Sequence, residues 1–331
     1  MKLSKSYSVY LAYYLSHDLF TEGLPIDYAF IGGFNFGFAL LVAPLATLLA
    51  RLYGVRTPML LGVILLPAGF VAASFATRVW HLYLSQGICV GLGIGLIYIP
   101  ATAIVPQWFM KKRSLANGIC AAGSGVGGLI VCFSTQGMLE AVGFVWALRI
   151  TAAVVFVVNL AATLLVRSRN KEIRPDQRIF NFHLLGSYQV KLLLGWSIIL
   201  MFGYITLMFS LSDYASAIGR TDQDKATVAA MLNLGAAIGR PIIGYVSDRG
   251  GILGIYWAVV APLAADIVGL EELPAFLSIA WLSVVLPSIS RLIIVLAKVA
   301  GHITYPTQTC LYLKYKLTFE GSISELLIGH H

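Results

Sequence analysis

Apolar residues run in long blocks along this chain, and polar residues collect between the blocks. A helix that crosses a bilayer needs about 20 mostly apolar residues. Blocks of that length occupy residues 28–50, 58–76, 82–105, 115–138, 144–166, 189–211 and 227–246. Two weaker blocks follow at 251–268 and 275–299, and the second is interrupted by Arg291 and Lys298. Residues 7–15 are apolar but make only about half a span. The pattern predicts an all-α polytopic membrane protein with about nine spans.

Charge in the connecting stretches gives the orientation. One set of loops holds Arg51 and Arg56, then Lys111, Lys112 and Arg113, then Arg167, Arg169, Lys171, Arg174 and Arg178, then Arg249. The alternate set holds Asp18, Glu22 and Asp27, then Arg78, then Glu140, then a mixed stretch from Asp213 to Lys225. Every second loop is basic, which places the first set on the cytoplasmic side. The longest polar stretch, 167–188, divides the chain into helical halves at 1–166 and 189–300, with a polar tail at 301–331.

Composition agrees. The 331 residues are 58% hydrophobic and 11% charged, with a mean hydropathy of +0.83, whereas a soluble domain carries about a quarter charged residues. The net charge of +8 invites a nucleic-acid partner. The basic residues sit in short clusters between apolar blocks rather than along one soluble face, so membrane lipid, not nucleic acid, is the expected surrounding. Cys89, Cys120, Cys132 and Cys310 form no C-x-x-C pair. No metal site, disulfide framework or cofactor is expected. No nucleophile–base pair lies within the spans, so the chain does not read as an enzyme. The N-terminus has no pattern of a cleavable signal peptide. Tyr98, Trp108, Trp146, Trp196 and Trp257 mostly fall near span ends, where aromatic belts form.

Helices associate in lipid by close packing, which small side chains permit. Small-xxx-small spacing recurs at Gly33/Gly37, Gly87/Gly91/Gly95, Gly123/Gly127 and Gly235/Gly239. These pairs are expected at helix seams. The run Gly123-Ser124-Gly125-Val126-Gly127-Gly128 is not a dinucleotide loop, because it lies inside a span rather than after a strand.

The most informative stretch is Gln107 to Gly128, QWFMKKRSLANGICAAGSGVGG, where a basic cluster meets a small-residue apolar run. It resembles the loop and fifth helix of the monocarboxylate transporter branch of the major facilitator superfamily, in the fungal style, with Lys111, Lys112, Arg113, Asn117, Gly118 and Gly123 as its motif positions. A second stretch, Pro44 to Arg56, resembles a degenerate form of the superfamily loop between helices two and three. Arg51, Gly54 and Arg56 are kept, and the acidic residue is missing. A third runs from Leu232 through Arg240-Pro241 to Ser247-Asp248-Arg249-Gly250, and resembles helix eight and the matching loop of the second half. The resemblance implies the facilitator fold, with Asp248, Arg249 and the loop cations acting as gates between two halves.

The same resemblance implies a substrate site at Arg240, with Asn233 and Tyr204 as further candidates. An arginine inside a span is expensive and a functional candidate by default, and its planar fork suits a carboxylate. The alternative is an arginine that snorkels toward the cytoplasmic end. Relatives often carry an aspartate one turn earlier that shuttles a proton; here that position is Ala236, which puts the usual proton path in doubt. Among the weaker charged candidates, Asp213 reads as a solvated loop acid, Arg149 as a snorkelling residue, and Asp266 as a helix-end acid or a proton carrier.

A complete facilitator has twelve helices. Here the first is mostly missing, the ninth is essentially absent, and the resemblance fades after Ser290, so the fold is expected to be incomplete. Loss of the ninth helix also sets a topological conflict. If Arg249 is cytoplasmic, a lone span at 251–268 runs outward, whereas the resemblance has it run inward. The leading expectation is a secondary transporter of a small organic anion, working by alternating access, with protons as a coupling partner. The alternatives are a truncated, non-transporting membrane remnant, or an exporter of riboflavin-like or secondary-metabolite substrates. The plasma membrane is the expected location, with the vacuolar membrane second. Nothing in the sequence identifies an ancillary membrane subunit.

Overall fold

The structure is a computed structural model that describes Tyr10, Tyr14 and residues 25–109, 111–169, 182–200, 222–250 and 256–299. By its contacts the chain divides into Met1–Arg291 and Leu292–His331. Of the second unit only the helical residues 292–299 are described.

The described residues form helices and no strand. In order these are α1 (Pro25–Leu41), α2 (Ala43–Tyr53), α3 (Arg56–Ala73), α4 (Val79–Leu82), a π-helical segment Tyr83–Cys89, α5 (Val90–Trp108) and α6 (Arg113–Leu165). A 3-10 turn, Phe182–Gly186, precedes α7 (Tyr188–Leu200), α8 (Asp222–Gly250) and α9 (Tyr256–Val299). Among the described residues, six stretches are long and apolar enough to cross a membrane: Phe30–Tyr53, Arg56–Ala73, Val79–Trp108, Arg113–Leu139, Ala141–Leu165 and Val260–Val285. They cover the first five expected spans and bridge the two weak ones.

The breaks follow from single residues. Pro44 opens α2, where its missing N–H does least harm, and so separates α1 from α2 within one crossing. Gly54 ends α2 with a φ of 89° and donates its N–H to the Ala50 carbonyl, a left-handed helix stop that favours glycine. Gly143 breaks α6 in the same way, with a φ of 77°. The two ends of α6 then meet the same partner. Trp108 Nε1 donates to the Arg167 carbonyl at 3.0 Å, and the Arg169 N–H to Gln107 Oε1 at 3.1 Å. Helix α6 is therefore a hairpin of two crossings that starts and finishes at the basic end. Arg56 closes that end: its guanidinium donates to the carbonyls of Leu164 (3.2 Å) and Val166 (2.9 Å), which a helix C-terminus otherwise leaves unsatisfied.

Two apolar cores result. One lies within α1–α6 and the π segment, around Ile31, Phe70, Leu82 and Leu148. The other joins α1, α2 and α5 to α7 and α9, around Leu96, Leu193, Phe276 and Trp281. The indole of Trp281 meets Tyr98 edge-on, with ring centroids 5.9 Å apart. Thr47 on α2 and Ser278 on α9 share a buried hydrogen bond of 2.8 Å across this second core.

Small residues do set close seams, although not at every expected pair. A side chain on Gly91 or Gly95 would strike the α1 backbone at Asn35 or Ala39. At Gly33, Gly123, Gly235 and Gly239 an added Cβ would meet nothing within 4 Å. Those four lie on helix faces without a tight neighbour, and spacing alone does not distinguish the two cases.

The topological conflict resolves through a return path. Asp248, near the end of α8, and Asp266, before the break of α9 at Gly269 (φ 78°), both contact the first turn of α6. The 18 residue steps between them are too few to cross a bilayer and come back, which takes about 40 residues. The segment 251–268 is therefore not a lone outward span. Asp248 and Asp266 stand at the same end of α6, and Asp266 stands where an inward-running helix would have put it. Only residues 251–255 lie between α8 and α9.

Candidate functional site at the α6–α8 seam

Helices α6 and α8 pack closely against each other. Gly118 and Gly244 set the distance: a Cβ on Gly118 would lie 2.5 Å from the Arg240 carbonyl, and one on Gly244 would overlap the Ser114 carbonyl. With no side chains between them, polar groups on α8 reach the backbone of α6.

Three such contacts line up along the seam. At the basic end, the Asp248 carboxylate accepts from the N–H groups of Ser114 (3.0 Å) and Leu115 (2.9 Å). These are orphan donors of the first turn of α6, and Lys112, at the N-cap, supplies no side-chain cap. Asp248 is thus a cap delivered from another helix, and its charge also complements the positive end of the helix dipole. Beside it, Arg113 pairs with Asp266 of α9 at 2.5 Å. The Asp266 side chain is 63% exposed, which fits the helix-end acid rather than a buried proton carrier.

Deeper in the seam lies Arg240, only 3% exposed. Its Nη1 donates to the Ala121 carbonyl at 2.8 Å and to Ser124 Oγ, while the Ser124 hydroxyl donates to Ala121 as well. No carboxylate pairs with Arg240 among the described residues. Among the described residues its guanidinium is held by neutral oxygens, and an unpaired cation is costly in a low-dielectric site. An anion would relieve that cost, and the guanidinium offers further N–H donors for a carboxylate. The snorkelling alternative does not match this placement, since the head of Arg240 is buried against α6.

The other sequence candidates distribute as follows. Asn117 and Gly118 are buried on α6, on the turn that faces Arg240 and Pro241. Asn233 lies on α8 two turns before Arg240, on the same face by helical spacing. Ala236 lies one turn before Arg240 and brings no acid. Gly123 adjoins Ser124, but no group comes near it. Arg51, Lys111 and Lys112 are exposed, and so is Arg249, whose guanidinium lies 4.5 Å from the Tyr245 ring centre. Arg149 donates to Ser74 Oγ at 3.3 Å and covers the rings of Phe75 and Trp146. Tyr204 and Asp213 lie outside the described residues. Sequence reasoning missed Ser124, Ser114 and the Thr47–Ser278 pair, because hydroxyls inside apolar runs carry no pattern of their own.

On the other side of the basic end lies the second core. A cavity of about 30 Å³ lies among Thr47, Ala50, Gln107, Pro274 and Leu277, enough for ordered water.

Known proteins bear on this arrangement. Residues 5–314 match the profile described as Major Facilitator Superfamily. The chain is 31% identical over 322 residues to "Probable transporter MCH2" of Saccharomyces cerevisiae, covering 84% of this chain and 68% of that protein. It is 36% identical over 258 residues to "Uncharacterized transporter ESBP6" of the same yeast, covering 74% and 38%. To "Monocarboxylate transporter 10" of Homo sapiens it is 24% identical over 254 residues, covering 70% and 49%. The chain thus spans between 38% and 68% of the length of these relatives.

Proposed function

The chain belongs to the major facilitator superfamily, and from that premise we propose that it carries a small organic anion of the monocarboxylate type across a membrane by alternating access. The single observation that supports this most is Arg240, a buried cation at the seam of two helices with no carboxylate partner among the described residues. It is an integral membrane protein, and by charge alternation the end closed by Asp248, Arg113 and Asp266 faces the cytoplasm.

In this reading the substrate carboxylate docks on the free donors of the Arg240 fork from the opposite side. Departure toward the cytoplasm requires α8 and α9 to leave the first turn of α6, which breaks the Asp248 cap and the Arg113–Asp266 pair together. Each is a surface or half-buried contact of modest strength. Weak latches that break jointly suit a machine that must open on each cycle, because a ligand can shift such an equilibrium only by its differential affinity for the two states.

The test is uptake of labelled C2 to C4 monocarboxylates into liposomes that hold the purified chain. Arg240→Ala should reduce initial uptake at least a hundredfold, and Arg240→Lys should restore part of it, since lysine keeps the charge without the fork. Uptake indifferent to both changes would overturn the reading. The second reading, a membrane remnant that does not transport, draws support from the return path between Asp248 and Asp266, which leaves α8 and α9 without a full crossing between them. Its signature is normal insertion with no flux under any imposed gradient. We place the protein in the plasma membrane, with the vacuolar membrane as the competing outcome of a fluorescent-fusion experiment.

A further inference from the structure

The branch motif contains residues that neither the seam nor the anion site uses: Trp108, Phe109, Lys111 and Lys112. They sit at one corner of the basic end, where α5 stops and the α6 hairpin finishes. The chain leaving α6 is folded back and fixed there. Trp108 Nε1 holds the Arg167 carbonyl at 3.0 Å, Gln107 holds the Arg169 N–H at 3.1 Å, and the Arg169 guanidinium lies 5.6 Å from the Trp108 ring centre. Arg56 grips the Leu164 and Val166 carbonyls from below. These contacts fix the backbone of Arg167 against Trp108, three residues before Lys111 in the chain, and Arg167, Lys111 and Lys112 are all exposed.

Below the cations the surface is apolar. Trp108 is 50% exposed, Phe109 49%, Leu164 57% and Leu165 81%. Between residues 104 and 169 the one acid is Glu140, next to the far turn of the hairpin. The nearest acids of the other helices, Asp248 and Asp266, are engaged on α6, while Glu271 and Glu272 belong to α9. The positive-inside rule explains the sign of these residues. It does not require that the chain after the hairpin be tied to a tryptophan at the end of the preceding helix.

We propose that the corner built from Trp108, Lys111, Lys112 and Arg167 seats the headgroup of an anionic phospholipid of the cytoplasmic leaflet. The phosphates lie among the three cations, the acyl chains descend over Phe109, Leu164 and Leu165, and the indole stands at the level of the headgroup as interfacial tryptophans do. Such a lipid joins the end of α5 to the end of α6 and lies apart from Arg240, so its binding can be read without measuring transport.

The experiment uses the full chain purified in neutral detergent and titrated with dioctanoyl phosphatidylinositol 4-phosphate, read by tryptophan fluorescence. Dioctanoyl phosphatidylcholine and free inositol 1,4-bisphosphate are the comparison ligands. Saturable binding of the anionic lipid is expected, with weak response to either comparison. Lys111→Gln, Lys112→Gln and Arg167→Gln should each weaken it about fivefold, and together roughly a hundredfold. Thermal unfolding of these variants should stay unchanged, because all three side chains are exposed. Trp108→Phe leaves the charge alone but removes the bond to Arg167, and should also weaken binding. Equal binding of the choline lipid, equal binding of the free headgroup, or an unaltered triple variant would each overturn the proposal.

Discussion

At the scale of single residues, this protein places charges where lipid makes them consequential. Arg240 is held by neutral oxygens of α6, and Ala236, one turn earlier, brings no acid. Uptake by the unaltered chain should therefore respond less than twofold to an imposed proton gradient at constant substrate. Ala236→Asp, one turn away on the same face, should create that dependence; a strong gradient response before the change would point to another proton carrier. Asp248 offers a more direct probe. Asparagine at 248 has one acceptor oxygen for two N–H groups, so about 1 kcal/mol of capping is lost. Hydrogen exchange at Ser114 and Leu115 should then accelerate about fivefold; unchanged exchange would mean that the carboxylate is not the cap. The sequence pointed to Arg240 and Asp248 by their rarity inside or beside apolar blocks. It could not point to Ser124 or to the backbone of Ser114, which gain meaning only once a second helix lies against them.

At the scale of elements, the seams are decided by which glycines face a neighbour. Gly118 and Gly244 let α6 and α8 touch. Gly244→Ala forces the helices apart and should lower the unfolding temperature by several degrees, an overpacking cost of about 1–3 kcal/mol. Gly123→Ala and Gly239→Ala should leave it unchanged or slightly raised, because both glycines look into open space and alanine is the better helix former. The opposite order in a thermal-shift comparison would contradict the α6–α8 arrangement. The turns are a second element-scale determinant. Gly143 and Gly269 carry nearly the same left-handed backbone, and each lets one long apolar run reverse. The apolar blocks had located the first five spans within a few residues, since length and hydropathy are properties of the segment itself. Residues 251–268 and 275–299 were harder, because a single glycine turned them into one bent helix that returns to the basic end.

At the scale of the molecule, the basic end carries two unlike seams. The α6–α8 seam is polar, with a cap, an ion pair and a buried arginine. The seam from α2 and α5 to α9 is mostly apolar, with the Thr47–Ser278 hydrogen bond across it. The return path of α8 and α9 has a consequence that labelling can read. Cysteine placed at Glu271, an exposed position just after the turn, should react with a membrane-impermeant thiol reagent from the same side as cysteine at Lys112. Reaction from the opposite side would restore the lone outward span and remove the Arg113–Asp266 pair. What the sequence by itself determined is the class of the protein and its superfamily, because apolar length and short motifs are local and survive without knowledge of neighbours. What only the tertiary structure decided is which charges meet. Asp248 and Asp266 come to the same turn of α6, and Arg240 comes to Ser124, through helix contacts more than a hundred residues apart in the chain, and such pairings depend on packing distances that no single segment encodes.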